Sequence, residues 1–84
     1  MKNELSPENI EYLKKVGERV KQLRKSRTNL SYTDFAEEVE LHRNTYWRLE
    51  NGSYDFHITT LKKILDHYKI TMSEFFKELC KKEL

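Results

Sequence analysis

The sequence predicts a compact all-α domain of five helices, the first of them extended towards the N-terminus. Three observations carry this. Apolar residues recur at spacings of three and four along most of the chain, as they do on the buried face of a helix. Residues that start helices (Ser6-Pro7, Ser31, and Thr71 or Ser73) stand ahead of those runs. With only two Gly and one Pro in 84 residues, the composition does not suit a β fold punctuated by such turns. The length fits one small domain and not two. So small a domain has a limited core, and each helix must supply a clean apolar stripe or a partner must add area.

The first helix starts with Ser6 as N-cap, Pro7 at the first helical position and Glu8 in the positive first turn. Leu13, Val16, Val20 and Leu23 form its buried stripe, and Ile10 and Tyr12 place its beginning well before that stripe. Gly17 inside it weakens the helix by about 1 kcal/mol relative to Ala. Its last turns carry Arg19, Lys21, Arg24, Lys25 and Arg27 and no acid, which suits the helix dipole as well as it suits phosphate. Residues 26–29 connect. Ser31 caps the second helix in a Ser-x-x-Asp box closed by Asp34, and Phe35, Ala36 and Val39 give about three turns an apolar stripe. Asp34, Glu37, Glu38 and Glu40 make its outer face acidic, so only its N-terminal end could approach a phosphate.

After a tight link at Glu40-Leu41 comes a short third helix, about residues 42–51, with His42 at the N-cap and Asn51-Gly52 as its stop. With Arg43 at zero and ~100° per residue, Trp47, Asn51, Asn44 and Arg48 fall between ~40° and ~140°. Thr45, Leu49, His42 and Tyr46 take the other side, between roughly 200° and 300°. One face is therefore apolar, with Tyr46 and Leu49 as core. The other carries two Arg, two Asn and a Trp, with Glu50 at its border. Arg and Asn have forked hydrogen-bonding groups that fit guanine and adenine edges in a major groove, so this helix is a candidate DNA reader. Residues 53–57 form a loop. Ile58, Leu61, Ile64, Leu65 and Tyr68 line a fourth helix, and Phe75, Phe76 and Leu79 a fifth that frays into Lys81, Lys82 and Glu83. Adjacent Phe75 and Phe76 point about 100° apart, so one of them is available to a dimer interface.

The remaining features bound the function. A net charge of +2 gives no global basic field, and any basic patch must come from uneven distribution. The one cysteine, Cys80, excludes an intrachain disulfide and fits a reducing cytoplasm. No apolar run is long enough to span a bilayer. His42, His57 and His67 lack metal-ligand spacing, and neither a Ser-His-Asp or Cys-His arrangement nor a glycine-rich phosphate loop can be argued. The reading is a cytoplasmic protein that is not an enzyme and needs no cofactor or metal.

Ser31-Tyr32-Thr33-Asp34-Phe35-Ala36, Val39-x-Leu41 and Arg43-x-Thr45-Tyr46-x-x-Leu49-Glu50-x-Gly52 together resemble the lambda-repressor/Cro-like (XRE) helix-turn-helix family. The similarity runs from about Val16 to Leu79. It implies residues 1–14 as an extension leading into the first helix, 15–79 as the helix-turn-helix domain and 80–84 as a tail. It also implies that Arg43, Asn44, Trp47 and Arg48 face bases, and that Tyr32, His42, Asn51 and Ser53 lie where the family meets phosphate. Arg24 and Glu50 match a pair that often joins the first and third helices. The chain departs from the family where Glu40 stands for the usual Gly of the turn, and where Tyr32 stands for Gln.

Two functions follow as expectations. One is a sequence-specific DNA-binding transcriptional regulator, most often a repressor in this family, acting as a homodimer on a two-fold site in double-stranded DNA. Small members of the family include controller proteins of restriction systems and antitoxins. The other is an antitoxin-like or scaffold interaction module with the same fold and little specific DNA binding, favoured by the acidic second helix and an exposed Trp47.

Overall fold

Ser6 opens the first helix by accepting the Asn9 backbone N–H on its Oγ at 3.2 Å. The computed structural model describes residues 6–53 and 56–81, the last two by backbone alone. The five helices are α1 (Pro7–Arg27), α2 (Tyr32–Glu38), α3 (Arg43–Asn51), α4 (Ile58–Tyr68) and α5 (Met72–Lys81). The Cys80 side chain, residues 1–5 of the extension and residues 82–84 of the tail lie outside the described residues. Helix α1 passes without a break through position 14, and it keeps its helical form to Arg27, into the stretch expected to be loop.

Side-chain capping explains where α1, α2, α3 and α5 start, while α4 follows His57 without a side-chain cap bond. Ser31 Oγ accepts from Asp34 N at 3.2 Å. Thr71, rather than Ser73, caps α5 in a full capping box: Glu74 N donates to Thr71 Oγ1 and Thr71 N to Glu74 Oε1, both at 3.0 Å. Helices α2, α3 and α4 end alike. In each, a left-handed residue (Glu40, Gly52 or Lys69) donates three residues back, and the next residue donates five back. This is the Schellman arrangement, which satisfies carbonyls the helix leaves open. Its left-handed residue is a glycine only at Gly52.

The core is built from Val16, Val20 and Leu23 of α1, Phe35, Ala36 and Val39 around α2, Tyr46 and Leu49 of α3, Leu61, Ile64 and Leu65 of α4, and Phe75 and Leu79 of α5. Among the expected stripe residues, Leu13 and Tyr68 are only partly buried, and Ile58 is 59% exposed. Ile58 is the first residue of α4, one turn ahead of Leu61, beyond the edge of the core. Of the adjacent phenylalanines, Phe75 is buried and Phe76 half-buried, their rings edge to face at 5.1 Å. Phe35 gathers the aromatics, meeting Tyr46 at 5.3 Å, Tyr68 at 5.5 Å and the His67 ring at 5.3 Å. Among the described residues no helix is long and apolar enough to cross a membrane.

The main packing that positions α3 is against α1. Gly17 is buried there because α1 runs across the last turn of α3. A Cβ on Gly17 would lie 2.5 Å from the Glu50 carbonyl oxygen and closer still to that of Leu49. The same close approach fixes Gly52, whose Cβ would meet the Lys14 backbone at 2.7 Å.

Candidate nucleic-acid interface

His42 begins α3 with an unusual cap. Its Nδ1 accepts the Asn44 backbone N–H at 3.2 Å, so Nε2 is the nitrogen that carries the proton of the neutral ring. From there the helix presents Arg43, Asn44, Trp47, Arg48 and Asn51 to solvent and buries Tyr46, Leu49 and Glu50. Helical spacing alone accounts for the first set. Trp47 stands 43% exposed, a large ring on the outer face of a small domain.

Glu50 is the one acid whose placement differs from the helical wheel. It turns inward instead of bordering the exposed face. Arg24 Nε donates to Glu50 Oε2 at 2.8 Å and Nη2 to Oε1 at 3.2 Å, while Nη1 reaches the Leu30 carbonyl at 2.9 Å. One guanidinium thus joins α1, the α1–α2 loop and α3. The pair is buried, with side-chain exposures of 10% and 3%. The bond to Glu50 raises the Arg24 pKa further above its already high value. With Glu50 withdrawn, the solvent-facing side of α3 carries Arg43 and Arg48 and no acid. The exposed acids Asp34, Glu37, Glu38 and Glu40 belong to α2 and the turn after it.

Burial, then the Glu50 charge, also keeps the two inner phenols neutral. Tyr46 is pushed up strongly, and Tyr68 is pushed up to about 12. Neither suits proton transfer near neutral pH, and both serve the core.

The expected phosphate-side residues occupy three places. Tyr32 is the first residue of α2, with its ring packed against the core. His42 caps α3, exposed. Asn51 and Ser53 flank the left-handed Gly52: Asn51 Nδ2 donates to the Trp47 carbonyl at 2.8 Å, and Ser53 N to that of Arg48 at 3.1 Å. One Asn51 amide hydrogen is thereby engaged within the helix, and the second remains. Among the described residues no group of three or more His, Cys, Asp or Glu could hold a metal ion.

Two residues that hold this geometry carry no signal of their own in the sequence. Gly17 is needed only because α3 lies against it. Lys63 of α4 donates from Nζ to the Glu40 carbonyl at 3.1 Å, across 23 residues of chain.

Comparison with known proteins supplies the rest. A family model for a helix-turn-helix domain matches residues 15–75. A control protein named C.MunI, from Mycoplasma sp, is 38% identical over 63 residues, which span 75% of this chain and 85% of that protein. No solved structure matches.

Proposed function

Because the chain belongs to the helix-turn-helix domain family, and is thereby a DNA-binding transcriptional regulator and not an enzyme, we propose that it reads a specific two-fold operator as a homodimer, with α3 in the major groove. The observation that supports this reading is the acid-free outer face of α3, where Arg43, Asn44, Trp47 and Arg48 stand together in solvent.

In this reading Arg43 and Asn44, on the first turn, contact base edges, where a forked donor set fits guanine and an amide fits adenine. Arg48 contacts a base or runs along the backbone, and Trp47 packs on a thymine methyl or a sugar edge. Tyr32, His42, Asn51 and Ser53 sit against phosphates and set the register without reading sequence. The acids of α2 keep its outer face off the backbone, so the domain approaches DNA through α3 and the N-terminal end of α2. Two copies present their recognition helices to successive major grooves about 34 Å apart. The half-buried Phe76 on α5 offers apolar area for the pairing. Repression by occupying a promoter is the simplest output, and the control protein C.MunI is a relative whose name carries a regulatory role.

The test is electrostatic first and chemical second. Affinity for duplex DNA should fall steeply as salt rises, since each neutralised phosphate releases counterions. Arg43→Ala should cost roughly 1–3 kcal/mol and relax preference at one base pair, while Lys21→Ala, if it weakens binding, should do so alike on all sequences. Unchanged DNA binding in both Arg43→Ala and Asn44→Ala would contradict the base-reading assignment. Weak, motif-free retention of DNA would favour an interaction module instead.

A further inference from the structure

The turn between α2 and α3 is under a local burden. Glu40 takes a left-handed conformation with φ 59°, which for a residue with a Cβ is disfavoured. The end of α2 is also wrongly charged for its dipole: Glu37, Glu38 and Glu40 crowd it, and no basic residue lies in its last turn. Yet this turn fixes the angle between α2 and α3, because Glu40 N and Leu41 N close it onto the Glu37 and Ala36 carbonyls at 3.1 and 2.8 Å.

We propose that Lys63 is a positioning residue for the recognition helix: its ammonium clamps the Glu40 carbonyl and so holds the left-handed turn that aims α3. The bond measures 3.1 Å and brings in from α4 the cation that α2 lacks at its own C-terminal end. The placement is not accidental to the packing. Lys63 and His67 are four residues apart on one side of α4, and His67 sets its ring edge-on against Phe35 of α2 at 5.3 Å. The same side of α4 therefore holds α2 twice, once by ring packing and once by the clamp. Lys69 supplies the internal comparison, since it ends α4 in the same left-handed geometry at φ 61°.

The inference rests on the reading of α3 as the DNA-contacting helix only for its consequence, and the clamp itself can be measured without DNA. The experiment is native-state amide exchange by NMR on the free protein, with Lys63→Met, Glu40→Gly and the double variant. Lys63→Met keeps the side-chain stem and removes the donor. It should speed exchange of the Leu41 amide by about 2- to 10-fold, the range expected for one hydrogen bond. The equivalent amides of Ser53 and Ile70, at the ends of α3 and α4, should not respond. Glu40→Gly, which removes the conformational burden, should restore slow Leu41 exchange in the double variant. Affinity for specific DNA should fall in Lys63→Met by a similar factor and recover with the double variant, with the salt dependence unchanged.

Leu41 exchange that stays slow in Lys63→Met, or that rises equally with Ser53 and Ile70, overturns the clamp. An affinity loss that persists in the double variant with a shallower salt dependence also overturns it, because Lys63 would then be touching phosphate directly. Leu41 responding as expected in a protein with no specific DNA binding sustains the clamp and refutes the reading of α3.

Discussion

Gly17 of α1 and Glu50 of α3 meet backbone to backbone, so closely that a methyl group on Gly17 would sit 2.5 Å from the Glu50 carbonyl oxygen. The contact sets the distance between α1 and α3. Local propensity and tertiary packing therefore disagree at this position. Ala is better than Gly in an isolated helix by about 1 kcal/mol. Overpacking against a backbone that cannot yield costs about 1–3 kcal/mol. Gly17→Ala should be destabilising on balance, with a lower urea midpoint and an unchanged slope. A higher midpoint would mean that α1 can shift away from α3 freely.

The ion pair beside that contact makes a second prediction. Glu50→Gln leaves the Arg24 guanidinium buried without its counter-charge, and breaking one side of such a pair costs about 3–5 kcal/mol. Replacing both partners by Met should recover most of the loss, since a buried pair is often matched by apolar side chains of similar size. Urea titrations of the single and double variants would separate these cases. Equal stability of Glu50→Gln and wild type would show that the pair is held in solvent.

Tyr68 links the core to alkaline pH. Its phenol lies at the ordinary value of 10.0 in the unfolded chain and is pushed up to about 12 in the fold, mainly by burial. The folded state therefore keeps this proton where the unfolded state has lost it. Stability from this group is whole below pH 10 and falls as pH rises from 10 through about 12. Denaturant midpoints measured across that window should fall in wild type and fall less in Tyr68→Phe. Tyr46, raised in the same direction, sustains the remaining slope.

Lys69 ends α4 in a left-handed conformation that glycine adopts without penalty. Lys69→Gly should stabilise the domain by roughly 1 kcal/mol, because the residue is exposed and only the backbone benefits. Gly52→Ala should do the reverse, as φ is +58° there and the added Cβ would strike the Lys14 backbone. Thermal melts of the two variants should move in opposite directions.

These cases mark what can be read from sequence and what cannot. The caps at Ser6 and Ser31 are legible because capping involves residues three apart, whereas only the structure selects Thr71 over Ser73. The outer face of α3 is legible because helical spacing sorts Arg43, Asn44, Trp47 and Arg48 from Tyr46 and Leu49. Spacing fails at Ile58, whose apolar side chain lies one turn outside the core. The wheel leaves Glu50 on the border, and the family resemblance, not the wheel, pairs it with Arg24. Gly17 and Lys63 are illegible for a shared reason. Their importance depends on which distant backbone lies against them, and no local pattern carries that. Glu40 is marked by the family resemblance, where it stands for the usual Gly of the turn, and it takes a left-handed conformation there.

The most direct test of the central claim is selection from a random pool of duplex DNA over a series of salt concentrations, with the retained molecules sequenced. If α3 reads bases from a two-fold dimer, the pool should converge on a palindrome with half-sites about one helical turn apart, or about 10 base pairs, and the motif should weaken at one position in Arg43→Ala. Retention without any motif, at low salt only, would contradict it and leave the domain as a DNA-associated surface for some other partner.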